Sequence, residues 1–197
     1  KIPYLKELGV TAVELMPAYE FLELERPKGK SYTMAQAAQH YMDPLPVGEG
    51  NVRINYWGYK KGYYFAPKAS YCGTQDPAAE FKSMVRALHE NGLEVIMQFY
   101  FPPGVGQGFI LDVLRFWVRE YHIDGAHLMG EAMPTVLLAT DPLLAKSKLF
   151  YYDFPCQEIY ASPDAADGRL ACYRDDFLYD MRRFLKSDPG MAPAAVA

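Results

Sequence analysis

The segment IDGAHLMGE, Ile123 to Glu131, carries two carboxylates and an imidazole, Asp124, Glu131 and His127. These are the residue types of general acid–base chemistry, which needs a proton donor or acceptor within reach of the reacting atom. Their spacing does not gather them. The run reads as a strand entering a turn, with the two acids at opposite ends and Met129 near its tip. A thioether neither transfers a proton nor forms an ester. Glu131 reads as the N-terminal acid of a following helix, and Gly130 as the point where the strand has ended. Asp153 reads as a loop carboxylate, and His127 as a hydrogen-bonded interior imidazole. The histidines at 40, 89, 122 and 127 show no metal-ligand spacing, so no metal site is assigned. Cys72, Cys156 and Cys172 are odd in number and far apart, which fits reduced thiols better than a disulfide framework or a zinc site. A cytoplasmic location is expected from that cysteine usage.

The elements that must position these groups alternate. Ile2, Leu5 and Leu8 recur at helical spacing, and VTAVELMP follows as a β-rich run. Asp76 and Pro77 open a helix through AAEFKSMVRALHENG, ended by Gly92. LEVIMQFYF is apolar almost throughout, as are parallel strands covered on both faces. FILDVLRFWVREY is a second clear helix, before the strand IDGAHLM. MPTVLLATDPLLAKSK reads as a helix interrupted by Pro142, before the strand KLFYYDF. The strand LACY and the helix DDFLYDMRRFLK close the series. We expect strands near 10–16, 93–101, 124–129 and 149–153, parallel and adjacent in that order. Outer helices are expected at 78–91, 109–121 and 174–186. Residues 20–55 read as an irregular loop excursion and 191–197 as a tail of one domain spanning 1–197.

This alternation predicts an α/β fold with a parallel sheet and right-handed helical crossovers. A doubly wound sheet and a (β/α)8 barrel both fit the rhythm. The GVGQG stretch at 104–108 lacks the spacing of a phosphate-binding fingerprint, which favours the barrel. A net charge of −4 argues against a nucleic-acid partner, since phosphate contacts need clustered Lys and Arg. No apolar run is long enough for a membrane span, and no cofactor motif is found.

The order of motifs resembles the catalytic barrel of the α-amylase superfamily, glycoside hydrolase family 13, in its isoamylase and glycogen-debranching branch. YLKELGVTAVELMP resembles the first helix and second strand of that branch, and NYWGYKKGYYFAPKASY the aromatic loop that follows. EFKSMVRALHENGLEVIM resembles the approach to the third strand, ATDPLLAKSKLF that to the fifth, and YRDDFLYDMRRFLKSDPG the helix after the sixth. The resemblance implies a partial (β/α)8 barrel, strands two to six, with two open edges and the remainder of the barrel as a partner. It also implies retaining chemistry on α-glucosidic bonds, with two carboxyl groups about 5 Å apart at the strand ends.

The family's fourth strand reads Asp-Gly-Phe-Arg-Phe-Asp, its last Asp being the nucleophile. Here those positions run from Asp124 to Met129, with His127 for the Arg and Met129 for the nucleophile. The acid of the fifth strand falls on Tyr152. The third strand's Asp-Val-Val-Tyr-Asn-His becomes Gln98, Phe99, Tyr100, Phe101, Pro102 and Pro103. No catalytic residue is therefore assigned, and the chain is expected to be an inactive relative in α-glucan metabolism. Tyr59 falls where the family packs a Tyr on the sugar, with Tyr100 and Tyr152 as neighbours on the same face, and Trp57 reads as scaffold. The competing readings are an active glycosidase that uses displaced carboxylates or groups outside this chain, and a scaffold that binds nothing.

Overall fold

The computed structural model describes residues 1–25, 53–155, 159 and 169–188. His40, Cys156, most of the 20–55 excursion and the 191–197 tail lie outside the described residues. The scaffold is a partial (β/α)8 barrel: a five-stranded parallel sheet with helices along one face. The chain enters through α1 (Ile2–Glu7) and β1 (Ala12–Leu15). It then crosses α2 (Pro77–Glu90) into the long strand Glu94–Phe101 and α3 (Gln107–Tyr121) into Gly125–Gly130. A short helix, α4 (Thr135–Thr140), precedes the strand Lys148–Tyr151. The strand Leu170–Cys172 and α5 (Asp175–Leu185) follow. The sheet order follows the chain order, and each neighbouring pair is parallel.

The local reasons are legible in the residues. Asp76 caps α2 by accepting the Ala79 N–H at 3.0 Å, and Pro77 fills the first turn, where a missing N–H costs nothing. Phe81, Val85 and Leu88 then recur on one stripe and are buried. In α3 the stripe is Ile110, Val113, Leu114, Trp117 and Tyr121. These stripes cover one face of the sheet, where Val95, Met97, Phe99, Phe101, Ala126, Leu128, Leu149 and Tyr151 form the core. The alternate residues, among them Glu14, Gln98, Tyr100, His127 and Met129, point to the other face, the barrel's inner side. Gly125 belongs there because a Cβ would stand 2.5 Å from the Lys148 carbonyl oxygen of the next strand. Asp124, just before it, accepts the Val95 N–H and pairs with His89, both at 2.7 Å, which registers the strand entry.

Two expectations need correction, and the interruption at Pro142 is found where expected. The described ends of the 20–55 excursion are not irregular. Tyr19–Glu20 pairs antiparallel with Tyr63–Pro67, and Leu24–Glu25 with Arg53–Ile54, so short ladders satisfy backbone groups that a loop would leave to water. The helix broken by Pro142 is two pieces, α4 and a 3-10 turn at Pro142–Leu144. Asp141 accepts the Leu143 and Leu144 N–H groups at 3.0 and 3.2 Å. The strand at 125–130 runs through Gly130, paired with Phe101, rather than ending before it. Glu131 consequently precedes α4 by several residues and is not in its first turn. Among the described residues, no helix is long and apolar enough to cross a membrane.

Candidate functional site

Register places the strand-end positions side by side. Gln98 pairs with His127, and Tyr100 with Met129. His127 also pairs with Phe150, and the strand Lys148–Tyr151 ends one residue before Tyr152. Met129 and Tyr152, the positions that the resemblance assigns to nucleophile and acid, are a thioether and a phenol.

Around this layer the side chains divide. Met129 is half-buried and Tyr152 is exposed, with its ring 4.6 Å from that of Tyr151. Tyr151 donates to the Gly130 carbonyl at 3.2 Å, and burial, reinforced by Tyr152, pushes its hydroxyl up to about 12. It stays protonated at neutral pH. Gly130 has φ +130°, and a Cβ there would stand 2.0 Å from the Phe101 oxygen, so only glycine fits beside the strand end. Pro102 and Pro103 follow the third-strand counterpart directly and turn the chain away, with Val105 N–H closing onto the Pro102 carbonyl at 3.4 Å. Glu131 and Asp153 are both exposed.

Tyr59 stands over the inner face. Its hydroxyl donates to Gln98 Oε1 at 2.5 Å, and the residue is 37% exposed. The contact of Tyr152 is with Tyr151 rather than with Tyr59. Tyr100 reaches the Tyr59 loop through its backbone: its carbonyl accepts from Tyr19 at 3.4 Å and from Tyr64 at 2.7 Å. Trp57, expected as scaffold, is 65% exposed. Asn55 Oδ1 takes the N–H groups of both Trp57 and Gly58, a side-chain turn that leaves the indole outside.

Sequence reasoning missed what fixes this loop. Tyr19 is fully buried, and its one hydroxyl proton faces the carbonyls of Gly58, Lys60 and Tyr100 at 3.2–3.4 Å. Burial first, and then the neighbouring Tyr64, pushes that hydroxyl far above its ordinary value, so it remains a donor. Sequence reasoning also missed Glu14. Its Oε1 accepts from Gln98 Nε2 at 2.7 Å and lies 2.5 Å from His127 Nδ1. The other His127 nitrogen meets the Tyr173 hydroxyl. The only signal for Glu14 was a charged residue at an inner-facing position of a β-rich run. An apolar concavity of about 490 Å³, bordered by Leu15, Met16, Tyr56, Tyr71, Phe81 and Met84, lies on the helix side of β1, away from this chemistry.

No protein-family model matches the chain. Among curated proteins it is similar to the chloroplastic isoamylase 3 of rice (Oryza sativa subsp. japonica), 28% identical over 97% of this chain and 31% of that protein. The chloroplastic isoamylase 1 of rice is 31% identical over 64% of this chain and 19% of its own length. A glycogen operon protein GlgX homolog of Haemophilus influenzae is 30% identical over 63% and 22%. The chain is thus similar to isoamylases and to glycogen operon proteins over 63–97% of its length. It spans between about a fifth and a third of the length of these relatives. Among the described residues, no cluster of three or more His, Cys, Asp or Glu is arranged to hold a metal.

Proposed function

We propose that this chain is a glucan-binding member of its family that does not hydrolyse glycosidic bonds. The observation that carries the reading is the strand-end layer. The positions that the resemblance assigns to nucleophile and acid hold Met129 and Tyr152, while Tyr59 keeps an exposed ring with its hydroxyl anchored on Gln98 of the neighbouring strand. Stacking on a sugar ring needs no ionisable group, so a binding platform outlasts the loss of the acids. Two-step displacement without nucleophile and acid has no first step. The substrate class, an α-glucan, follows from the isoamylase and glycogen-operon names of the relatives, and a cytoplasmic location belongs to the same proposal. The rest of the barrel is the expected partner of the open sheet edges.

Two measurements test this. Reducing-sugar release from maltodextrin, pullulan and glycogen is expected to stay at the uncatalysed level, and Met129→Asp alone is expected not to restore it. Tyr59→Ala is expected to weaken maltoheptaose binding by about 0.5–1.5 kcal/mol, the scale of an aromatic contact beyond area burial. Calorimetric titration of both forms reads it. Equal affinities would remove Tyr59 from the site, and absence of binding to either form would leave only a scaffold.

A second reading, hydrolysis by displaced carboxylates, draws on Glu14, which faces the barrel interior within hydrogen-bond reach of His127. Enzyme-dependent sugar release that disappears in Glu14→Gln would establish it in place of the first.

A further inference from the structure

We infer that Glu14 is a positioning residue for Tyr59, acting through the side-chain amide of Gln98. The inference rests on the reading of Tyr59 as the glucan platform. Gln98 sits between two partners with opposite demands. A carboxylate oxygen only accepts, so the Gln98 edge facing Glu14 Oε1 at 2.7 Å must be the NH₂ group. The opposite edge, the amide oxygen, is then turned toward Tyr59, and the phenol must donate to it. Reversing the amide would set two acceptors against each other at the Glu14 side. The charge on strand β1 thereby decides the direction of a bond made by a loop residue that lies 45 positions further on (14 to 59).

The consequence is chemical. With its proton committed inward, the Tyr59 hydroxyl offers an arriving sugar only a lone pair, so the group it reads is a sugar hydroxyl that donates. The ring is held at a fixed angle rather than left to rotate. Glu14 is itself held. His127, on the strand at 125–130, approaches the same Oε1 from the other side, with its side chain 12% exposed and its second nitrogen on Tyr173. Another charged pair on this face, Lys148 with Glu94, is closed on itself and does not compete for the Glu14 carboxylate.

The test follows an aromatic NMR signal of Tyr59 in the ligand-free protein, alongside the maltoheptaose dissociation constant and the melting temperature. Glu14→Leu is expected to shift the Tyr59 signal and to weaken binding roughly 3- to 10-fold, the scale of one hydrogen bond. Glu14→Gln, which retains an acceptor oxygen at the same place, is expected to recover most of both. Gln98→Met, with Glu14 intact, is expected to reproduce the Tyr59 shift, so the test survives if the leucine variant fails to fold. In the Tyr59→Ala background, Glu14→Leu should add no further loss of affinity. A Tyr59 signal indifferent to Gln98→Met and to the Glu14 variants overturns the positioning role. A signal that shifts as expected in a protein that binds no maltoheptaose upholds the positioning network and overturns the glucan reading instead.

Discussion

Lys68→Ala is expected to lower the unfolding free energy by about 3–5 kcal/mol, the usual cost of removing one partner from a buried ion pair. Lys68 is 2% exposed, which is unusual for a lysine. Its ammonium lies 2.9 Å from Glu20 Oε1 and 2.9 Å from Glu23 Oε2, donates to the Phe21 carbonyl at 3.1 Å, and sits 4.1 Å from the Phe21 ring centroid. Truncation leaves two largely buried carboxylates without that cation. The effect should reach the candidate site, because this cluster ties the segment after β1 to the end of the aromatic loop. Glu20 Oε2 also accepts the Ala69 N–H at 2.9 Å. Urea denaturation of the variant measures the loss. Lys68→Met combined with Glu20→Gln and Glu23→Gln should lose less than Lys68→Ala alone, since no uncompensated charge remains. A triple variant worse than the single one would contradict the electrostatic account.

Trp117→Ala is expected to cost about 3–5 kcal/mol, the range for deleting a large buried aromatic. Trp117 is fully buried between α2, α3 and the sheet, with ring centroids 5.2 Å from Phe81, 6.0 Å from Phe99 and 4.5 Å from Tyr121. Its indole N–H also donates to the Tyr64 carbonyl at 2.6 Å, which pins the strand Tyr63–Pro67 under the aromatic loop. Trp117→Phe separates the two contributions. It keeps much of the packing but leaves that carbonyl without its donor, at a cost of about 1–3 kcal/mol. Chemical denaturation of both variants gives the ratio. A Trp117→Ala loss no larger than that of Trp117→Phe would mean that packing contributes little.

Much of the architecture was legible in the linear chain because its determinants are local. Phe81, Val85 and Leu88 mark a helix by spacing alone, and the apolar run from Leu93 to Phe101 marks a strand of the kind covered on both faces. Alternation of the two dictates a parallel sheet, since the crossover needs a helix's length of chain. The strand-end positions were legible as well, because a collinear resemblance carries register with it. On that resemblance, Met129 and Tyr152 fall at the positions of the two carboxylates. That follows from residue identity and needs no coordinates.

What only the tertiary structure decided is which side chains meet. Period-2 alternation puts Glu14 on the face opposite Val13, yet nothing local names His127, 113 residues on, as its partner. Tyr19 looked like one aromatic among many, until the fold placed its hydroxyl under the carbonyls of Gly58 and Lys60. Trp57, read as scaffold, is exposed in the structure, and Lys68, a residue type usually found at the surface, is buried. A lysine is buried when acids from a distant segment converge on it, and a tryptophan is exposed when a side-chain turn aims it outward. The burial of Lys68 depends on contacts closed across a long stretch of chain, whose geometry is set by the packing of the sheet and helices and is not written in any local pattern of residues.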